Sequence, residues 1–371
     1  MKRRDFVTGL GAGALTAGLA GCVGDQPATP GAQQSAGRTY DWKMVTTWPP
    51  NFPGLGRGAS NLARRIEEVS GGRIRVRVYA AGELVPPFEV FDAVSQGTAE
   101  LGHGAAYYWK GKVEAGQFFT AIPFGLNFNE MNGWLFYGGG MELWRETYAP
   151  FSLVPHAAGN TGVQMGGWFN KAINTVADLD GLKMRIPGLG GEVLRRAGGT
   201  PVSLPGGEIF TALQTGNIDA TEWVGPYNDV AFGLNKAARY YYYPGWHEPG
   251  PTLECIVNKA AWDSLPPDLQ ATIAVASQSV NNDMRAEFAY RDAGALQTIL
   301  EDPEVELRRF PQPVLDRLKE ITRELLDEMS ARDPLIAKIR DSQAEFQQRS
   351  AVFQSITERA YLEARDGLVP L

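Results

Sequence analysis

Histidine and cysteine are scarce: His103, His156 and His247, with Cys22 and Cys255, are the whole supply in 371 residues. That leaves little for a histidine-based metal centre or a nucleophile triad. The chain contains no Gly-x-Ser-x-Gly elbow, no His-Glu-x-x-His and no Gly-x-x-x-x-Gly-Lys-Ser/Thr loop, so the spacings that hydrolases, zinc proteases and phosphate-binding enzymes require are missing. Gly9-x-Gly11-x-Gly13 falls in the N-terminal leader and Gly188-Leu-Gly-Gly191 is a lone turn; neither follows a nucleotide-binding pattern. Positive charge is also short. A net charge of -7 argues against nucleic acid or anionic lipid as a partner, since either demands a clustered basic surface. A small anion stays open, because one local cation suffices to bind it. Beyond the N-terminus no apolar run approaches the 18 or so residues of a membrane-spanning helix.

The first residues read as an address. Lys2, Arg3 and Arg4 precede a Gly/Ala/Leu-rich apolar stretch that ends in Leu19-Ala20-Gly21-Cys22. Arg3-Arg4-Asp5-Phe6-Val7 resembles a twin-arginine export signal, and Leu-Ala-Gly-Cys resembles the lipobox at which bacterial lipoproteins are cut and acylated on the cysteine, here Cys22. Simple cleavage near Ala20, or retention of the signal as an anchor, are the alternatives. If Cys22 carries lipid, Cys255 has no partner and no disulfide is expected; its place in the run Leu253 to Val257 reads as buried packing. Residues 23–39 are polar, Pro/Gly-bearing and without period, as a flexible tether would be.

Structure is expected from Tyr40. Tyr40 to Trp48 reads as a strand. Leu62, Ile66 and Val69 share a helical face ended by Gly71-Gly72, and Arg73-Ile-Arg-Val-Arg-Val78 alternates as a half-buried strand does. A helix from Phe88 to Gln96 and a strand from Leu101 to Tyr108 complete a strand-helix alternation that implies a parallel sheet. Phe91 to Glu100 aligns without gaps to Phe210 to Asp219, each reading as a helix end, a glycine cap and a strand start, which points to duplicated topology. Val163 to Asn170 and Thr252 to Asn258 are extended and read as strands joining two lobes. Prolines 266 and 267 open a helix running to about Leu300, roughly 45 to 50 Å and long enough to span both lobes. The expected organisation is a two-lobed α/β fold with parallel-type sheets: a signal over 1–22, tether over 23–39, lobe I over 40–163, lobe II over 164–251, the hinge-crossing strand and long helix over 252–310, and C-terminal helices over 311–371 with a fresh start at Asp333-Pro334. These last pack across both lobes or against a second subunit, making a homodimer an open expectation.

Four segments are more specific: Gln164-Met-Gly-Gly-Trp-Phe-Asn170, Leu182-Lys-Met-Arg-Ile-Pro-Gly188, Ile218-Asp-Ala-Thr-Glu-Trp223 and Trp246-His-Glu248. Together they resemble the substrate-binding subunits of tripartite ATP-independent periplasmic (TRAP) transporters, over nearly the whole chain after the leader, and most closely the clade that binds 2-oxo and 2-hydroxy monocarboxylates. The resemblance implies a periplasmic binding protein that delivers a small organic carboxylate, such as pyruvate or lactate, to TRAP membrane subunits, and no enzymatic turnover. It implies that Arg185 clamps the carboxylate. A guanidinium's planar fork matches a carboxylate bidentately and keeps its charge on burial. It further implies that Gln164, Glu222, the backbone carbonyl of Trp223, and Glu248 surround a cation bridging to the substrate. Charge counting supports this: two glutamates, a substrate carboxylate and one arginine leave a surplus of negative charge in a dry cleft, and all-oxygen ligands suit sodium or calcium.

Trp48, Tyr107, Trp168, Trp223 and Tyr227 are the candidates for the remaining cleft wall, Tyr107, Trp168 and Trp223 being assigned to substrate binding together with Arg185, Gln164 and Glu248. Tyr240 to Tyr243 reads instead as a buried strand. Where sialic-acid-type members of the family carry a second arginine on the hinge strand, this chain has Gln164, which favours a small monocarboxylate. A sensor module reporting to a signalling receptor, and a metal-assisted periplasmic enzyme, are the competing classes for the same cleft.

Overall fold

The computed structural model of the protein describes residues 37–367. The signal, the lipobox with Cys22 and nearly all of the tether therefore lie outside the described residues.

Among the described residues, eleven strands build two sheets. The first contains β1 (Tyr40–Thr46), β2 (Ile74–Tyr79), β3 (Leu101–Gly104), β4 (Leu153–Asn160) and β10 (Thr252–Asn258), in the order β2-β1-β3-β10-β4. The second contains β5 (Gly167–Phe169), β6 (Lys183–Arg185), β7 (Thr200–Val202), β8 (Ala220–Thr221), β9 (Tyr240–Tyr243) and β11 (Glu306–Arg309), in the order β11-β9-β5-β8-β6-β7. Each sheet anchors one lobe. The strand-helix alternation of the sequence gives the parallel pairs β1-β2, β1-β3, β6-β7 and β6-β8. The sheets are nevertheless mixed. β10 returns from the second lobe and inserts antiparallel between β3 and β4, and β5 runs antiparallel to both β8 and β9. The segment expected only to join the lobes is thus an interior strand of the first sheet, buried from Thr252 to Val257.

Local chemistry accounts for the element ends. β2 is an edge strand that buries Ile74 and exposes Arg75 and Arg77, as its alternation requires. The two aligned segments end their helices alike, at Gly97 and Gly216, both in the left-handed region at φ 77° and 73° that glycine adopts without strain. β3 stops at Gly104, short of the expected Tyr108. The ring of Trp109 folds back to within 2.8 Å of where a Cβ on Gly104 would stand, and the Ala106 amide bonds to Thr120 Oγ1 at 2.9 Å instead of a strand. The chain therefore turns through a 3-10 segment, Ala106–Trp109, which carries Tyr107 and Tyr108 into the cleft.

The long helix runs from Pro267 to Leu300, 34 residues or about 51 Å. It buries Leu269, Ile273, Val280, Met284 and Phe288 along one stripe and packs on β4 and the helix Leu55–Val69 of the first lobe and on the helix Pro226–Phe232 of the second. Helix Gln312–Arg332 reaches the second lobe, where Glu328 pairs with Arg196 at 2.7 Å. Helix Pro334–Ile356 starts at Asp333, whose carboxylate accepts from the Leu335 amide at 2.8 Å, and lies on the first lobe, with Gln343 donating to Phe118 O at 2.9 Å. These two helices thus touch the second and the first lobe respectively. Among the described residues no helix is long and apolar enough to cross a membrane.

Candidate functional site

Short strands in the second sheet place the charged groups. Arg185 ends β6 opposite Thr221 of β8, so Glu222, the next residue, falls beside it; the Glu222 amide donates to Arg185 O at 3.2 Å. Gln164 and Glu248 are joined by their own backbones, Gln164 N donating to Glu248 O at 3.2 Å and Gly245 N to Gln164 O at 2.9 Å. Four segments far apart in sequence are thereby brought to one point. Arg185 and Glu222 are each 1% exposed, Glu248 4% and Gln164 5%.

Arg185 uses its whole fork. Nε donates to Leu204 O at 3.2 Å, Nη1 to Glu222 O at 3.2 Å and to the Glu222 carboxylate, and Nη2 to the Tyr108 hydroxyl at 3.3 Å, with the Trp223 ring centroid 5.1 Å from the guanidinium carbon. Tyr108 belongs to the first lobe and Arg185 to the second, so this bond crosses the cleft. Burial works against the arginine's charge, but the Glu222 carboxylate together with Tyr108 and Tyr107 outweighs it and keeps the group firmly protonated.

The second carboxylate is not balanced. Burial, and then the charge of Glu222, push Glu248 well above the usual carboxylate range; Arg185, Tyr107 and Gln164 pull the other way without cancelling them. Gln164 Nε2 donates to Glu248 Oε2 at 2.9 Å and to Thr161 Oγ1 at 3.3 Å, which leaves its Oε1 buried without a partner. His247 Nε2 lies 3.3 Å from Glu222 Oε2, and ligand atoms of Glu222, His247 and Glu248 come within 4.8 Å of one another. An unpartnered amide oxygen beside two carboxylates suits a hard cation. The residues present therefore fit sodium or calcium.

Trp48, Tyr107, Tyr108, Gln164, Trp223 and Glu248 line the cleft, which is closed down to ≈ 10 Å³, about the room one water needs. Trp48 is fixed by His103: its Nε1 donates to His103 Nδ1 at 2.7 Å while His103 Nε2 faces Ala158 O at 3.2 Å. Accepting on Nδ1 requires the neutral ring, and burial lowers the histidine pKa to about 4. In a wider groove between Lys110, Glu192, Arg196 and Glu328, Arg196 is already paired with both glutamates and Lys110 Nζ donates to Gly188 O at 3.3 Å.

Of the aromatic candidates, Trp48, Tyr107 and Trp223 lie on the wall and two do not. The Trp168 indole is fully buried, stacked on Tyr241 and donating to Asp229 at 3.0 Å, because β5 turns that face into the second lobe's core. Tyr227 points to the long helix, its hydroxyl donating to Glu287 at 3.0 Å. Tyr240 to Tyr243 is strand β9 of the second sheet, with Tyr241 and Tyr242 buried. Tyr108 and His247 were not singled out. Tyr108 stood beside an assigned tyrosine and His247 inside a quoted motif, but only the turn after Gly104 and the Glu222 contact reveal what they touch.

Two lobes meeting over a fully buried guanidinium flanked by carboxylates are the arrangement of a two-lobed solute-binding protein. The chain belongs to the bacterial extracellular solute-binding protein family 7 (DctP), whose pattern it matches over residues 44–333, and so is a TRAP-type solute-binding protein. It is 40% identical over 361 residues, 97% of this chain and 98% of the other, to a monocarboxylate 2-oxoacid-binding periplasmic protein of Nostoc sp.. The crystal structure of a TRAP periplasmic solute-binding protein from Pseudoalteromonas atlantica with bound sodium and pyruvate is 44% identical, with a TM-score of 0.86 over 89% of this chain and 100% of that one. One from Colwellia psychrerythraea with bound calcium and pyruvate is 43% identical, with a TM-score of 0.86 over 88% and 100%.

Proposed function

We propose that this protein captures a small 2-oxo monocarboxylate, with pyruvate as the model ligand, together with a sodium or calcium ion, and hands it to TRAP membrane subunits without chemical change. The observation that carries the reading is the buried pair of carboxylates, Glu222 and Glu248, facing one guanidinium and an unpartnered Gln164 oxygen. The sodium-and-pyruvate and calcium-and-pyruvate relatives support it.

In this reading Arg185 receives the substrate carboxylate with its fork, held in place by Leu204 O and Tyr108. Gln164 Oε1, the Glu222 and Glu248 carboxylates and the Trp223 carbonyl hold the cation. A bound ion supplies the positive charge that offsets the two glutamates and a second point of attachment for the substrate. Trp48, Tyr107 and Trp223 exclude water and limit ligand size, and the Tyr108 bond to Arg185 ties the lobes shut. Export by a twin-arginine-like signal and lipidation at Cys22 would hold the protein at the outer face of the membrane. The apolar residues Val352, Phe353, Ile356, Tyr361 and Leu362, 47 to 71% exposed on the last two helices, support a homodimer through those helices.

Calorimetric titration with pyruvate, with and without sodium or calcium, tests the reading. Pyruvate affinity rises with the cation, and Arg185→Ala abolishes binding, a loss of at least about 3 kcal/mol for an unpaired buried carboxylate. Unchanged affinity in Arg185→Ala, or indifference of wild type to both cations, would sink it.

A further inference from the structure

Asp229, outside the ligand set, governs the peptide that follows Trp223. It lies on the helix Pro226–Phe232, 1% exposed. Its Oδ1 accepts from the Val224 amide at 3.3 Å, and its Oδ2 accepts from Trp168 Nε1 at 3.0 Å and from the Tyr241 hydroxyl at 2.8 Å. Those two rings sit opposite each other on the paired strands β5 and β9 and are stacked with centroids 4.1 Å apart. The carboxylate is thus held by a rigid support.

A peptide unit is planar and trans, so its C=O points away from its N–H. With the Val224 N–H directed at Asp229, the Trp223 carbonyl is turned to the opposite side. Its neighbours are already engaged: Glu222 O accepts from Arg185 Nη1 at 3.2 Å and from Thr221 Oγ1 at 2.9 Å, and Val224 O accepts from Met165 N at 2.9 Å. Among the described residues no donor is bonded to Trp223 O, which leaves it as the carbonyl of the three that is available to a cation.

We propose that Asp229 is a positioning residue that aims the Trp223 carbonyl and thereby sets cation affinity, touching neither the cation nor the substrate. This rests on the assignment of that carbonyl as a cation ligand under Proposed function.

Calcium titration in the presence of pyruvate tests it, with sodium in its place if wild type binds only sodium, and wild type comes first: if wild type binds neither ion, the cation reading itself has failed. With wild-type binding in hand, Asp229→Leu should weaken calcium about ten- to hundredfold, as the loss of supporting contacts around a metal does. Asp229→Asn, which keeps an oxygen for the Val224 amide, should recover most of that loss. At saturating calcium the pyruvate affinity of Asp229→Leu should return to within about threefold of wild type, less than 1 kcal/mol. A general structural defect would leave it weak. If Asp229→Leu does not fold, the comparison moves to a Trp168→Phe/Tyr241→Phe background, where the leucine strands no donor except the Val224 amide. Unaltered calcium affinity in the leucine variant, or a pyruvate defect that persists at saturating calcium, overturns the proposal.

Discussion

Glu254 is a buried carboxylate in the middle of β10 whose environment makes a quantitative statement about stability. Its Oε1 accepts from Trp109 Nε1 at 2.6 Å and its Oε2 from the Tyr148 hydroxyl at 2.8 Å. Among the described residues no cationic side chain pairs with it. Burial raises its pKa from 4.5 to about 7, and the two donated hydrogen bonds offset only part of the effect. The unfolded chain therefore loses this proton near pH 4.5 and the folded chain only near pH 7. Between those values the folded state holds the extra proton, so stability falls as pH rises through the window and levels off above it. At about 1.4 kcal/mol per tenfold change in proton affinity, the loss is about 3 kcal/mol. Glu254→Gln removes the titration while its amide keeps an oxygen for Trp109 and donates to Tyr148 Oη. Urea denaturation of both proteins from pH 4.5 to 8 reads the effect as a difference. Asp229, also raised to about 7, and His103 and His156, lowered to about 4 and about 3, titrate in both proteins and cancel. The variant should gain about 3 kcal/mol relative to wild type across the window. A difference that stays flat with pH would refute the argument.

Three further outcomes follow from particular contacts. Tyr108→Phe deletes the bond that crosses the cleft to Arg185, and pyruvate affinity measured by calorimetry should drop by about 1.5 to 3 kcal/mol, the usual worth of a hydrogen bond to a charged group. Gly167→Ala should cost several kcal/mol in a urea melt and weaken ligand binding as well, because Gly167 has φ 112° and a Cβ there would collide with the Thr221 carbonyl beside Glu222. Asp333→Ala removes the cap of the helix Pro334–Ile356 and should lower stability by about 1 kcal/mol while leaving pyruvate affinity unchanged.

How far the sequence could be read depended on the range of the interaction. The helix start at Asp333-Pro334, the half-buried alternation of β2 and the glycine ends at Gly97 and Gly216 are set by neighbours a few residues away, and the structure has them where local chemistry places them. Longer-range outcomes were less legible. That β10 lies inside the first sheet depends on pairing with β3 and β4, about 100 to 150 residues earlier, and no periodicity records it. The convergence of Gln164, Arg185, Glu222 and Glu248 likewise came from resemblance to a family and not from spacing. Aromatics were the weakest ground. A tryptophan is equally at home in a cleft or a core, so nothing local separates Trp168, whose indole serves Asp229, from the wall residues, and the bend that brings Tyr108 into the cleft leaves no mark beyond Gly104.

The pairing of Arg185 with Glu222 changes what capture means. A guanidinium that already grips a carboxylate of its own chain is not a bare charge awaiting a guest; an arriving acid must take over part of that grip. If Arg185 is the clamp proposed above, uptake is an exchange of one carboxylate for another, and its free energy is a difference between two similar interactions instead of the full strength of either. On the same proposal, discharge would be that exchange run backwards, with Glu222 reclaiming the arginine as the cargo leaves. A carrier arranged this way can discriminate sharply for the shape of an acid and still let it go.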